Sequence, residues 1–233
     1  MFAALLQVGC AHWPAQTAAH SSACCSELPS DSSQVHSSTN SDLLATAWLS
    51  PQERTKRLPL DLDLTDQSGR KLRPAALVGK PFAMSFIYTR CTNPNKCAKT
   101  ADTLSQLQRQ VAQSGLTNKI LLALMTYDPE YDFPERLSRF GVSHGLRFDQ
   151  GASMFRPEPT QKDKFFNDWQ VPVNYNDGGV NIHGIQLLLF DKEGRWVRTY
   201  HTLLWDNSTV LEDLKQLLAE PNARVAKSSN SRF

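Results

Sequence analysis

Hydrophobic residues are arranged along this chain in a pattern that predicts alternating strands and helices. Apolar runs at residues 82–88, 120–125 and 185–191 have the length of buried strands. Between the first two runs, apolar residues recur at helical spacing from Pro94 to Ser114, with one face formed by Ala101, Leu104, Leu107 and Val111. This order predicts an α/β fold with a mixed central sheet flanked by helices, whose first crossover is parallel and right-handed.

Shorter hydrophobic patterns precede the run at residues 82–88. Every second residue from Leu58 to Leu64 is leucine, and this alternation predicts a strand with one buried face. A turn at residues 66–69 and a return at Lys71–Leu72 complete a predicted N-terminal hairpin. A short helical turn follows at residues 74–78.

The second half of the chain predicts further elements. A short helix at Pro134–Phe140 ends at Gly141, Phe148 begins a strand, and residues 162–169 form another helix. Residues 176–179 are predicted to form a loop, and the strand at 185–191 turns into a hairpin partner at 196–200. The last helix is predicted at Asn207–Ala219, with Thr209 and Glu212 as a capping box. Its inward face is formed by Leu211, Leu214 and Leu218.

The first 52 residues differ in composition from the rest, since they contain no Lys or Arg and are rich in Ser, Ala, Thr and Gln. We predict a disordered leader at 1–52, a folded domain at 53–220 and a flexible tail at 221–233. Two interpretations of the leader remain open. Met1–Val8 with Gly9-Cys10 is a degenerate or truncated export or lipoprotein signal, or the segment is a plain flexible linker. The leader cysteines Cys10, Cys24 and Cys25 are lipid-attachment sites or incidental residues.

Composition narrows the function classes. The chain has 233 residues, 40% of them hydrophobic, and a formal net charge of +2, which argues against a nucleic-acid binder. Its apolar runs fall well short of the roughly 20 residues that a membrane helix needs.

Candidate chemistry is concentrated in the stretch KPFAMSFIYTRCTNPNKC, where Cys91 and Cys97 flank Asn93-Pro94. Asn favours the helix N-cap and Pro the first helical position, so the two thiols lie where a buried strand ends and a helix begins. Residues six apart on one helix would point about 240° apart, so Cys91 must lie in the loop if the thiols share a ligand. We expect the helix N-terminus, together with Arg90 and Lys96, to stabilise the thiolates.

Four blocks in order resemble the Sco/SenC family of copper-binding assembly proteins for cytochrome oxidase. They are the stretch from Leu58 to Cys91, the run Tyr127-Asp128-Pro129-Glu130 followed by Asp132 and Pro134, the run GGVNIH at 178–183, and LLLFDKEGRWVRTY at 187–200. The resemblance spans about residues 56 to 219. It departs from the family at the cysteines, which have CxxxxxC spacing where most members have CxxxC.

The resemblance implies a thioredoxin-like fold and a copper site made of Cys91, Cys97 and His183. It also implies delivery of copper to the binuclear centre of a cytochrome c oxidase subunit, and a periplasmic or cell-envelope location with a membrane anchor. Two thiolates and one imidazole suit a metal that passes through Cu(I) and Cu(II). Asp128 is expected to support the site as an outer partner.

The same residues are compatible with other functions. A thiol–disulfide oxidoreductase acting on a copper-site partner needs Cys91 and Cys97 as a redox-active pair but not His183. A peroxidase is disfavoured because only Thr89-Arg90 match its frame, and an inert thiol pair is disfavoured because the loop is polar. We expect His144 and His201 to be surface or structural residues, and Phe86 and Tyr88 to belong to the core rather than to the site.

Overall fold

The structure, a computed structural model, describes residues 45–203 and 205–221. The strands are β1 Leu64–Asp66, β2 Lys71–Leu72, β3 Phe82–Ile87, β4 Leu121–Thr126, β5 Ala152–Pro157, β6 Val173–Asn176, β7 Gly179–His183, β8 Leu187–Phe190 and β9 Trp196–Tyr200. A seven-stranded sheet has the order β2-β1-β5-β4-β3-β8-β9, and a separate two-stranded sheet pairs β6 with β7. The helices are α1 Lys99–Gln113, α2 Pro134–Ser143, α3 Lys162–Asp168 and α4 Asn207–Ala219. Short helical turns lie at Pro74–Leu77, Pro94–Ala98 and Pro159–Gln161.

The predicted mixed sheet is confirmed. β3 and β4 are parallel, as are β4 and β5, whereas β8 runs antiparallel to both β3 and β9. β3 is buried on both faces, because α1 and α4 cover one side and the aromatic residues of α3 cover the other. Because β3 and β4 are parallel, their carboxyl ends lie at the same edge of the sheet, which is where α/β folds place their binding sites.

The predicted N-terminal strand is wrong over most of its length. β1 begins only at Leu64, and the Leu62 N–H bonds to the Pro59 carbonyl in a turn. Leu60 is 56% exposed, whereas Leu58 and Leu62 are buried. The leucine alternation belongs to a turn around Pro59, which has no N–H to give to a strand ladder.

Two further sequence predictions need correction near α2. The helix continues through Gly141 to Ser143, and the strand predicted from Phe148 begins only at Ala152. A Cβ on Gly141 would lie 2.5 Å from Phe148 Cζ, so this glycine serves close packing and does not end the helix.

The caps of α4 also differ from the prediction. The N-cap is Asp206, whose carboxylate accepts from the Thr209 N–H at 2.8 Å, while Glu212 pairs with Lys215. Leu217, rather than Leu218, is the buried residue in the last turn.

The folded part begins earlier than the predicted boundary at residue 53. Thr46 N–H donates to the Thr199 carbonyl at 2.8 Å and Leu49 N–H to the Val197 carbonyl at 3.2 Å. The buried guanidinium of Arg54 then bonds to Asp191 at 3.2 Å and to Glu220 at 2.5 Å. These contacts join residues 45–54 to β9 and to the end of α4. The remainder of the predicted leader and the predicted tail beyond residue 221 lie outside the described residues.

Candidate metal centre

Cys97 is placed by the junction between β3 and α1. The side chain of Asn93 accepts from the Asn95 N–H at 2.9 Å, and Pro94 starts the helical turn that carries Cys97. The turn points the thiol inward, where it is 1% exposed and accepts the Tyr88 N–H at 3.4 Å.

Cys91 lies in the loop before that turn. Its N–H bonds to the Tyr88 carbonyl at 3.3 Å, and its thiol lies 3.7 Å from the Asn93 carbonyl oxygen. The chain thus folds back through Asn93-Pro94 so that both sulfur atoms face one point. Cys91 is only half-buried, so the two thiols differ in their access to solvent.

His183 comes from a different part of the chain, at the end of the β6–β7 hairpin. Its Nε2 atom lies 3.5 Å from Cys91 Sγ and 3.7 Å from Cys97 Sγ. Its Nδ1 atom lies 3.1 Å from the Gly184 carbonyl oxygen, so the proton sits on Nδ1 and the lone pair of Nε2 faces the thiols. Across residues 45–203 and 205–221, this is the one group of three or more metal-ligating side chains, with ligand atoms within 4.8 Å of one another.

The hairpin that carries His183 was predicted only as a loop at 176–179. Asp177 and Gly178 both have positive φ, 49° and 75°, as a two-residue turn between twisted strands requires. The Asp-Gly pair was the available sequence signal. Gly184 closes the hairpin against Pro172, where a Cβ would lie 2.3 Å from Pro172 Cγ.

Two tyrosines form an aromatic wall around the imidazole. The rings of Tyr88 and Tyr127 each lie 5.2 Å from the His183 ring, and the Tyr127 hydroxyl donates to the Gly184 carbonyl at 3.0 Å. Tyr88 packs against both parts of the core, as predicted, and its ring also lies beside the His183 ring, whereas Phe86 is fully buried in the core. Tyr127 fixes the same carbonyl that orients His183.

Burial governs the titration of these groups. It raises the pKa of the Cys97 thiol far above its ordinary value, and the Tyr88 N–H offsets this only in part. Burial therefore opposes the expected stabilisation of this thiolate in the metal-free protein. Burial also lowers the pKa of His183, which keeps the imidazole in its neutral, metal-ligating form.

The cations beside the cysteines do not bond to the thiols. Arg90 Nε donates to Asp128 Oδ2 at 2.7 Å, and the guanidinium stacks over the Tyr131 ring at 4.4 Å. Lys96 Nζ instead donates to the His183 carbonyl at 2.9 Å. Both side chains join the thiol loop to neighbouring segments.

Asp128 lies outside the ligand group. Its carboxylate is 2% exposed and holds Arg90, the residue before Cys91. Arg90 also lies close to Gly179, the first residue of the strand that carries His183. A Cβ added to Gly179 would lie 3.9 Å from Arg90 Nη2. Asp128 therefore touches the site through Arg90, between the thiol loop and the histidine hairpin.

A second carboxylate, that of Asp132, links the carboxyl ends of β3 and β4 near the site. It accepts hydrogen bonds from the Thr89 N–H at 3.1 Å and from the hydroxyls of Thr89 and Thr126. Asp132 is fully buried, and burial raises its pKa. Sequence patterns gave it no role, since its partners come together only when β3 and β4 pair.

The other histidines take no part in this group. His144 Nδ1 lies 2.8 Å from Asp102 Oδ1 at the end of α2, and His201 is exposed beyond β9. Among the described residues no helix has both the length and the apolar character needed to cross a membrane.

The fold and the site define a thioredoxin-like domain with a Cys-Cys-His metal-ligating group at the strand–helix junction. A family model described as SCO1/SenC matches residues 50–219. The chain therefore belongs to the SCO1/SenC family, and the predicted thioredoxin-like α/β fold is confirmed.

Individual relatives agree with this placement. The SCO1 protein homolog of Bacillus subtilis (strain 168) is 22% identical over 138 residues, which are 58% of this chain and 69% of the relative. A SCO1/SenC family lipoprotein from Bacillus anthracis superposes with a TM-score of 0.61 at 23% identity, over 69% of this chain and 95% of the other.

Two further solved structures share the fold. ScoI of Bradyrhizobium japonicum, solved with copper bound, has a TM-score of 0.53 at 24% identity, over 70% of this chain and 99% of the other. BsSco, described by a disulfide switch and as a cytochrome c oxidase assembly protein, has a TM-score of 0.58 at 19% identity, over 71% and 96%.

Proposed function

We propose that this protein binds copper through Cys91, Cys97 and His183 and delivers it to the binuclear copper centre of a cytochrome c oxidase subunit during assembly. The observation that carries the proposal is the convergence of two thiols and one correctly oriented imidazole within 4.8 Å. Family membership and the copper-bound structure of a relative support it.

The donor chemistry fits copper. Thiolates are soft ligands that favour Cu(I), and imidazole accepts both oxidation states. A structural zinc site takes four protein ligands, whereas the described residues bring three together here. Three protein ligands leave a position from which a client's ligand can approach the cargo metal.

The unequal burial of the ligands suggests the route of transfer. Cys97 and His183 are 1% and 5% exposed, whereas Cys91 is half-buried at the mouth of the site. A client ligand therefore meets the Cys91 side first. Cys97 and His183 hold the metal until that exchange.

Asp128 and Arg90 act as positioning residues in this proposal. The Asp128–Arg90 ion pair holds the residue next to Cys91, and Arg90 also lies beside the start of β7. Removal of the Asp128 carboxylate would free the Cys91 loop without removing a metal ligand.

The cell envelope is the proposed location. Copper–thiol chemistry with a disulfide option suits a compartment outside the reducing cytosol. The similarity to a family lipoprotein supports the same placement, with membrane association through the N-terminus.

The test is copper stoichiometry on the reduced protein beside Cys91→Ala, Cys97→Ala and His183→Ala, with His201→Ala as the matched control. One copper per chain in the parent and in His201→Ala, lost from the other three, is the expected result. Copper retained by Cys91→Ala with the parent's affinity would show that the ligand set is wrong. Transfer is then followed from the loaded protein to the metal-free copper-centre domain of the oxidase subunit.

A thiol–disulfide oxidoreductase is the second candidate, favoured by the proximity of the two thiols. Cys91 as thiolate would attack a partner disulfide, releasing one partner thiolate and forming a mixed disulfide. Cys97 would lose its proton and attack Cys91 Sγ, releasing the second partner thiolate. The partner gains two electrons and its thiolates take up two protons, while this chain ends with a Cys91–Cys97 disulfide.

The two candidates differ in their need for His183. Disulfide reduction that is equal in the parent and in His183→Ala, with no copper bound by the parent, would favour the oxidoreductase. Loss of copper binding in His183→Ala alongside unchanged thiol exchange would show that both chemistries share the cysteines.

A further inference from the structure

Guanidinium groups and aromatic rings alternate in a band beside the metal centre. Arg90 and Arg136 lie 4.4 and 3.8 Å from the Tyr131 ring centroid. Arg136 also lies 5.6 Å from the ring of Phe133, and Arg156 lies 5.5 Å from the same ring. We call these five residues the arginine–aromatic patch. It runs from the residue next to Cys91 across the loop after β4 to β5.

Most of the positive charge in the patch is not neutralised. Arg90 pairs through Nε with Asp128, whereas Arg136 and Arg156 donate to the backbone carbonyls of Tyr131 and Pro129 at 2.6 and 2.5 Å. Within the described part of the chain, neither of these two arginines forms an ion pair. Each guanidinium has five N–H donors in a planar fork, so most of the donors remain available.

Two of the nearby carboxylates, those of Asp132 and Glu130, are engaged elsewhere. Asp132 is buried and accepts from Thr89 and Thr126, and Glu130 pairs with Lys162. Glu135, in the first turn of α2, is exposed but forms no ion pair with the patch arginines in the described residues. The patch is therefore locally positive although the whole chain has a net charge of only +2.

We propose that the arginine–aromatic patch is a docking surface for an acidic protein face on the client that receives copper. This inference rests on the proposed delivery function. Carboxylates match the guanidinium fork with two parallel hydrogen bonds, and the ring stacking holds that fork ready before the client arrives.

The position and composition of the patch agree with this role. Arg90 is adjacent to Cys91, the half-buried ligand, so a client held on the patch has its own ligands close to the cargo. Phe133 is 46% exposed and offers an apolar contact among the charges. Arginine and aromatic residues are the types enriched where interfaces concentrate their binding energy.

The experiment measures association of the copper(I)-loaded full chain with the metal-free copper-centre domain of an oxidase subunit, by calorimetry at low salt and at about 0.5 M salt. The test variant is Arg136→Glu with Arg156→Glu. The matched control is Arg139→Glu with Arg147→Glu, which reverses the same number of charges outside the patch. None of these variants changes a metal ligand, so the copper stoichiometry of each one verifies that the protein is folded.

We expect the patch variant to bind the domain at least about tenfold more weakly at low salt, with the difference vanishing at high salt, and the control to stay within about twofold of the parent. Equal weakening by patch and control variants, or no association of the parent, would overturn the docking surface. Binding of phosphatidylglycerol vesicles that the patch variant loses, without loss of domain binding, would assign the patch to lipid and overturn it too. Patch-dependent docking without copper transfer would leave the docking surface standing and contradict only the delivery function.

Discussion

The Nε2 atom of His183 lies 3.5 Å from the Sγ atom of Cys91, across 92 residues of sequence. The two meet because the β6–β7 hairpin closes over the junction between β3 and α1. The ligand group is thus complete only when these distant segments are docked, so metal binding and tertiary structure are coupled.

The two cysteines should differ in reactivity. In the reduced, metal-free protein we expect iodoacetamide to alkylate Cys91 at least about tenfold faster than Cys97, because Cys97 is 1% exposed and burial raises its thiol pKa. Peptide mapping by mass spectrometry at successive times measures both rates. In denaturant the two rates should converge, and equal rates in the native protein would contradict the burial of Cys97.

His183 should make the stability of the metal-free protein depend on pH. Burial lowers the pKa of His183 below the ordinary value of about 6.5, so the unfolded chain binds a proton at pH values where the folded chain does not. Stability is therefore retained above about pH 6.5 and falls as the pH drops below that value, by at most about 1.4 kcal/mol per pH unit.

Urea unfolding between about pH 5.5 and 7 measures this slope, and His183→Asn provides the comparison. The parent should lose stability across this window relative to the variant. Parallel pH profiles for the two proteins would show that His183 titrates alike in the folded and unfolded states.

The central elements could be predicted from sequence because burial on both faces leaves a plain signal. The run at 82–88 became β3, and the final helix has the predicted bounds Asn207–Ala219. The predicted element boundaries are wrong where a residue is selected by a tertiary contact. Gly141, for example, lacks a side chain because Phe148 packs against it. The leucine alternation before β1 gave a wrong prediction for a related reason, because a turn at Pro59 buries Leu58 and Leu62 without forming a strand.

The candidate site was predicted in part. Cysteine placement followed from the strand–helix junction, and His183 came from the family resemblance. Tyr88, Tyr127 and Asp132 were given no role at the site, since each contributes through contacts with residues distant in sequence. The raised pKa of the Cys97 thiol likewise depends on how deeply the thiol is buried, which no local sequence pattern reports.

Gly184 should be required for the position of His183. Gly184→Ala would place a Cβ 2.3 Å from Pro172 Cγ, so Pro172 or the hairpin segment that carries His183 must shift. We expect a loss of about 1–3 kcal/mol in stability and weaker copper binding. Gly179→Ala on the same hairpin is the matched control, because its Cβ would meet its nearest neighbour at an ordinary 3.7 Å.

Unfolding curves and copper titrations of both glycine variants check this prediction. The control should retain the parent's affinity for copper. If Gly184→Ala bound copper as tightly as Gly179→Ala, the hairpin would tolerate displacement and the close contact with Pro172 would not fix the imidazole.

Asp132 should stabilise the carboxyl ends of β3 and β4 and, through them, the Cys91 loop. Asp132→Ala leaves the Thr89 N–H and the hydroxyls of Thr89 and Thr126 without their shared acceptor. Buried donors without partners are costly, so we expect a loss of about 2–4 kcal/mol in the free energy of unfolding. Asp149→Ala is the control. Asp149 is 69% exposed in a surface ion pair, so its substitution should cost less than about 1 kcal/mol.

Denaturant unfolding of both variants measures the difference in stability. A copper titration of Asp132→Ala should show reduced affinity, because Thr89 lies two residues before Cys91. Stability of Asp132→Ala within about 0.5 kcal/mol of the parent would mean that water replaces the carboxylate and that the strands hold the loop by themselves.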